Sequence, residues 1–195
     1  MTTERIENFF ALEGLDGVGK TTTIEGLRDK DFVVLKTPGK LLSVLRPIFE
    51  EQDTRARFMF YLTSVLQAGY QAKKYTAHEK VICDRYLLTT VAAHEAMGMS
   101  VEFMAACMPI VRQAPVPEMT FILTATEEAR LNRLMGRPKK ASPLDIANLK
   151  INNQILNGYR TWSETLGYPI LEIDTTSMCP EDVIGFIERY AKKES

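Results

Sequence analysis

The sequence predicts an α/β fold, a five-stranded parallel sheet flanked by helices in three layers. Three observations predict it. Short apolar runs alternate with longer amphipathic stretches along the 195 residues, the pattern of parallel strands covered on both faces. A glycine-rich turn, "EGLDGVGKTTT" at 13–23, joins the first apolar run to the first amphipathic one. The length is enough for one sizeable core or two very small ones, and hydrophobic residues at 45% with charged residues at 25% are ordinary for a globular domain.

The elements follow in order. "NFFALE" at 8–13, "FVVLK" at 32–36, "KVICD" at 80–84, "EMTFILT" at 118–124 and "PILEID" at 169–174 are short and rich in β-branched or aromatic residues. That composition favours strand over helix. Helices are expected at 21–30, 40–51 and 53–78, the last from the spacing of Phe58, Tyr61, Leu62, Val65 and Leu66. Two more are expected at 87–97 and 101–112, broken near Gly98, and others at 127–135, 143–167 and 180–193. "GRPKKASP" at 136–143 is the most polar, proline-punctuated interior stretch and reads as a mobile loop.

Gly14, Gly19, Lys20 and Thr21 satisfy G-x-x-x-x-G-K-[ST] between a strand and a helix, the context that makes this spacing a phosphate cradle. The glycines let successive backbone N–H groups turn inward, and the helix N-terminus adds partial positive charge. Lys20 can reach the β- and γ-phosphates of ATP, and Thr21 can offer its hydroxyl to Mg²⁺. Asp16, Gly17, Val18 and Thr22 complete the loop's nucleotide-binding set. The fold expected is therefore a three-layer P-loop NTPase fold. Asp84 ends a parallel strand, where it would enter the ligand crevice and hold Mg²⁺ through water, or cap the helix that follows. An N/T-K-x-D strand end, a mark of a GTPase, is not in the sequence.

A formal net charge of -1 gives no general basic field, so nucleic acid is not an expected partner. No stretch reaches the roughly 18 apolar residues of a membrane span, and no signal-peptide pattern leads the chain. A cytoplasmic setting without membrane attachment is expected. Cys83, Cys107 and Cys179 lie far apart and are expected to be buried reduced thiols.

"FFALEGLDGVGKTTT" followed by "VICDRYLLTTVA" resembles the thymidylate kinases and related nucleoside monophosphate kinases, which couple a P-loop to a D-R-Y/H segment. Asp84, Arg85 and Tyr86 fill that segment. "KTPGKLLSVLR" resembles the family's R-E-P-G stretch, with Lys36 at the arginine position, and "EEARLNRLMGRPKK" stands in place of an arginine-rich lid. The resemblance implies one kinase domain over 1–195 with a lid at about 128–145, and transfer from ATP to a nucleoside monophosphate with Mg²⁺. It also implies a homodimer built on the long helix. Asp16 would bind the acceptor sugar, Lys36, Arg46 and Arg85 its phosphate, Phe60 its base, and Thr89 would also contact it. Lys20, Arg85, Arg133 and Arg137 would be catalytic. The family's P-loop arginine is missing, Gly17 and Val18 lying in that region, so lid arginines would meet the transition-state charge. Arg130, Arg133 and Arg137 are spaced three and four apart, along one helical face; a solvated helix side would look the same.

Base reading departs from the family. Its F-x-x-x-R pattern finds Phe60 but has Ser64 at the arginine position, and its serine-serine and tyrosine-glutamine positions fall on Thr89, Thr90, Ala93 and His94. An altered base or sugar preference is expected. Two alternatives stay open: a nucleoside kinase using Glu13 or Asp84 as base on a sugar hydroxyl, and a nucleotide-binding regulatory ATPase.

Overall fold

Five parallel strands, β1 (Arg5–Gly14), β2 (Phe32–Lys36), β3 (Lys80–Asp84), β4 (Val116–Thr124) and β5 (Ile170–Asp174), lie in the order β2-β3-β1-β4-β5. The structure, a computed structural model, describes residues 4–136 and 149–193. Among these, the strands are joined or followed by α1 (Lys20–Arg28), α2 (Lys40–Ser43), α3 (Arg46–Glu50), α4 (Thr54–Tyr75), α5 (Leu87–Ala96), α6 (Val101–Val111), α7 (Glu127–Met135), α8 (Leu149–Leu166) and α9 (Pro180–Lys193). The three-layer α/β architecture is the expected one.

Side-chain alternation along the strands builds a core on each face of the sheet. Phe9, Ala11, Val81 and Cys83 point to a cluster with Phe58, Val65, Leu87, Val91 and Tyr159 from α4, α5 and α8. Phe10, Leu12, Ile82 and Phe121 point the other way, to Ile24 and Leu27 of α1 and Val183 and Ile187 of α9. Burial on both faces explains why the strands read as continuous apolar runs.

The connection from β1 leads to β2 on one side, while β3 connects to β4 on the other. The carboxyl ends of β1 and β3 therefore border the crevice where ligands bind in such sheets. β1 and β4 extend beyond the expected 8–13 and 118–124. β1 starts at Arg5 and bends through Asn8, whose φ is 58, where its register with β4 shifts.

Two expectations are corrected and a third is met over the residues described. The helix expected at 40–51 is two short helices, because the Pro47 ring would clash with the carbonyl four residues back and has no N–H to donate; Pro47 instead opens α3. The helix expected at 143–167 is described as Leu149–Leu166, its expected start lying outside the described residues. Cys83 and Cys107 are buried free thiols, but Cys179 is exposed, in the polar turn before α9 where no core covers it.

Candidate active site

The turn between β1 and α1 adopts backbone conformations that only glycine takes without strain. Gly14, Gly17 and Gly19 have φ of +139, +87 and +99. A Cβ on Gly14 would lie 2.5 Å from the Leu123 carbonyl oxygen, and one on Gly17 would lie 2.8 Å from that of Arg130. The loop is thus moulded against β4 and α7. Lys20 folds back into it, its Nζ donating to the carbonyls of Gly14 at 2.8 Å and Leu15 at 2.7 Å, with Asp16 at 3.8 Å.

Burial, helped by the nearby Arg85 charge, lowers the Lys20 pKa to about 7. A bound triphosphate favours the charged form, so nucleotide binding takes up a proton where free Lys20 has lost it. Calorimetry at pH 8 in buffers of different ionisation enthalpy should show uptake of about one proton on ATP binding, and less at pH 6. An uptake that does not change with pH would refute the coupling. The unfolded lysine keeps its proton up to about 10.5. Its contribution to stability therefore rises between pH 7 and 10.5 and is lost as pH falls through 7.

One cavity of about 360 Å³ opens beside the loop and is lined by Asp16, Gly17, Lys20, Thr21, Lys36, Arg46, Asp84, Arg85 and Thr89, with Glu50, Arg57, Tyr61, Thr90, Ala93, His94 and Met97 among its other walls. Nearly all the acceptor-side residues expected from the sequence are thereby brought together. Arg85 adopts φ 64, a region a side chain occupies only when its surroundings hold it there. The hold comes from its N–H to the Leu12 carbonyl at 3.0 Å and from the Thr37 hydroxyl to its own carbonyl at 2.9 Å. The guanidinium then donates to the Gly14 carbonyl at 3.1 Å and to Asp16 Oδ1 at 2.6 Å. Lys36 is paired across β2 and β3 with Asp84, Nζ to Oδ2 at 3.2 Å.

Glu50, at the end of α3, gathers the far wall. It accepts from Arg46 Nε at 3.1 Å and the Tyr61 hydroxyl at 2.5 Å, and lies 3.8 Å from Arg57 Nη1. Partial burial would raise its pKa, but the Tyr61 and Arg46 hydrogen bonds and the two arginine charges hold it below the usual carboxylate range. Burial and the bond to Glu50 push Tyr61 up to about 12. Burial lowers His94 to about 4, so it is neutral at pH 7. His94 Nδ1 lies 2.7 Å from the Thr90 carbonyl, which only accepts; the N–H is therefore on Nδ1 and Nε2 is an acceptor.

Phe60 requires a correction. It stacks on Phe49, ring centroids 4.5 Å apart, and is buried rather than on the cavity wall. Tyr61, the next residue, faces the cavity instead. Arg57 and Tyr61 are four apart and share one face of α4, a spacing legible in the sequence that points away from Phe60. Glu50, Arg57 and Met97 were missed, since only the fold brings α3 and α5 beside α4.

Glu13 lies outside both cavities. It is wholly buried and accepts from the N–H of Tyr86 at 2.9 Å, the N–H of Thr89 at 3.1 Å, and the Thr89 hydroxyl. It thus caps α5, while Thr89 Oγ1 also meets the Tyr159 hydroxyl of α8 at 3.1 Å. Burial raises its pKa despite these bonds and the Arg85 charge. A residue so engaged is not placed to take a proton from a sugar hydroxyl. Glu13→Ala leaves these donors unpaired and should cost about 3 kcal/mol of stability, whereas Glu13→Gln should cost less. Urea midpoints at unchanged m would test this, and equal midpoints for all three chains would contradict the capping role.

A second cavity of about 370 Å³ lies across the loop, lined by Gly17, Val18, Gly19, Thr22, Thr23, Arg133, Thr175, Met178, Pro180 and Val183. Gly17 borders both cavities. Arg133 reaches the Gly17 carbonyl at 3.4 Å and the Thr175 carbonyl at 2.6 Å, and Arg130 Nε reaches the Asp16 carbonyl at 2.8 Å. Both arginines thus grip the loop's backbone. Arg137 and the second half of the expected lid, 137–145, lie outside the described residues, as does all but Gly136 of the loop expected at 136–143.

A P-loop lies between two cavities, one lined by cations and the other leading to the start of α9, the setting of a nucleotide-dependent phosphotransferase. The thymidylate kinase family model matches residues 12–184, and the chain belongs to that family, whose members phosphorylate a nucleoside monophosphate from ATP. A probable thymidylate kinase of Methanocaldococcus jannaschii is 27% identical over 191 residues, 94% of this chain and 95% of that protein. The thymidylate kinase of Geobacillus thermodenitrificans is 25% identical over 185 residues, 86% and 82% of the two chains. In fold, the chain resembles the crystal structure of thymidylate kinase from Ehrlichia chaffeensis, with TM-score 0.65, 19% identity and 98% of each chain covered.

Proposed function

We propose that the first cavity seats a nucleoside monophosphate and the second seats ATP, so that the γ-phosphoryl group crosses the P-loop to the acceptor phosphate. The observation that carries this reading is Gly17, shared by the two cavities, with Lys20 and Arg85 on the acceptor side. Two polyanions meet there, so catalysis is mostly positioning and charge neutralisation. Lys20 leaves the loop carbonyls to follow the transferring phosphoryl. Arg85 grips the acceptor phosphate through its planar fork, and Lys36 and Arg46 add charge beside it. Asp16, already bonded to Arg85, accepts from the acceptor sugar. Arg133 supports the donor side; Arg137 and the lid segment at 128–145 would close over it, shielding the transfer from water.

The residues suit Mg²⁺. Thr21 and Asp84 line the same cavity and offer hard oxygen donors, which fits an ion that takes few protein ligands beside nucleotide phosphates. Lys36 would release Asp84 as the metal enters. When bound, Mg²⁺ would neutralise charge on the phosphates.

We also read 1–195 as one kinase domain acting in the cytoplasm without nucleic-acid partners. Among the described residues no helix is long and apolar enough to cross a membrane. Met59, Tyr70 and Tyr75 on α4 are exposed and support a homodimer through that helix. ADP release measured with a panel of nucleoside monophosphates and free nucleosides tests the reading. Faster turnover of nucleosides than of monophosphates would defeat it.

A further inference from the structure

Deepening the acceptor assignment above, on which it rests, we propose that His94 and Arg57 read the edge of the acceptor's base, Nε2 of His94 accepting from a base N–H and Arg57 donating to a neighbouring base acceptor. The family's base-reading arginine has no counterpart here: Ser64 is buried and donates to the Phe60 carbonyl of its own helix at 3.2 Å. The same helix supplies Arg57 to the cavity wall two turns earlier.

Among the described residues, four buried side-chain polar atoms lack a hydrogen-bond partner. Two of them, Arg57 Nε and His94 Nε2, belong to residues lining this one cavity. Core polar atoms are almost always paired, and these two unpaired atoms belong to side chains that line one cavity, which points to an occupant there. They are also complementary, since Nε of Arg57 can only donate and Nε2 of His94 accepts. A base edge offers this combination, a donor beside an acceptor.

Distance along the fold agrees. The phosphate grip, Arg85, stands just before α5, and His94 lies about 10 Å past the first residue of that helix, Leu87, at 1.5 Å per residue, roughly the length of a nucleoside monophosphate. Both readers are held in place. Arg57 Nη1 lies 3.8 Å from Glu50, and Nη2 donates to Met97 Sδ at 3.3 Å. The His94 imidazole is oriented by Thr90 and flanked by the Tyr61 ring, centroid to centroid 5.7 Å.

The test compares dTMP, dGMP, dCMP and dAMP with N3-methyl-dTMP, N1-methyl-dGMP and the N,N-dimethylamino forms of dCMP and dAMP. KM and kcat are measured for wild type, His94→Leu and His94→Gln, and Kd by calorimetry. For the accepted base, methylation should raise KM about 100-fold in wild type and leave kcat much less affected. His94→Leu should shrink that penalty to about threefold or less, and His94→Gln, whose amide oxygen accepts again, should restore most of it. Should His94→Leu not fold, His94→Phe carries the same comparison. Arg57→Met should raise KM for the unmodified acceptor while keeping the methylation penalty. An equal penalty in wild type and His94→Leu, or none in wild type, would overturn the base assignment while leaving monophosphate transfer intact. Turnover of nucleosides but of no monophosphate would instead defeat the acceptor reading itself.

Discussion

Lys20→Ala removes phosphoryl transfer while the fold survives. The expected loss in kcat is about a thousandfold, near 4 kcal/mol, the scale seen when one preorganised donor to developing negative charge is deleted. The fold survives because Lys20 is a buried cation whose desolvation already costs stability, as its lowered pKa records. Its two bonds, to the carbonyls of Gly14 and Leu15, are also released whenever it turns to a phosphate. Single-turnover rates with saturating ATP and acceptor, beside a thermal melt, check both halves. A variant that melts many degrees lower would make Lys20 a structural residue first. One that keeps more than about a tenth of wild-type kcat would remove it from the chemistry.

Arg85→Ala should raise the acceptor KM about 100-fold and change the ATP KM by less than about threefold, because a bidentate phosphate contact is lost on one side of the loop only. The asymmetry follows from position. Arg85 lines the first cavity, which we assign to the acceptor, and not the second. Its backbone is fixed by Leu12 and Thr37 before any ligand arrives. Arg85→Lys should recover only part of the loss, since an ammonium is a point charge without the planar fork. Steady-state kinetics with each substrate varied in turn would decide, and equal rises in both KM values would contradict the assignment.

Much of this site is legible along the chain because its parts are local. Gly14, Gly17 and Gly19 announce a turn that only glycine can make, and Lys20 and Thr21 follow at fixed spacing. Asp84 ends a strand whose apolar run marks it as central, and Arg85 follows it. The far wall of the acceptor cavity was not legible in the same way. Phe60 is the expected base platform because it falls on the aromatic position of the family's F-x-x-x-R pattern. Its orientation, however, depends on which face of α4 meets Phe49. Glu50 reaches Tyr61 and Arg57 only because Pro47 divides the helix expected at 40–51 and turns α3 toward α4.

The role of Glu13 shows the same division. Its place at the strand end reads as that of a base, and nothing in the sequence shows that Tyr86 and Thr89, more than seventy positions away, bring three donors to it.

By itself the sequence determined the strand–helix alternation, the phosphate loop and the acidic and cationic residues at the strand ends, because those depend on periodicity and on conformations that few residue types allow. Only the tertiary structure decided that Glu13 is a buried cap, that Tyr61 replaces Phe60 on the cavity wall, and that Arg57 and His94 share that wall. The physical reason is that burial and hydrogen-bond pairing belong to surfaces assembled from distant segments, and which side chain faces a ligand is settled when those segments pack.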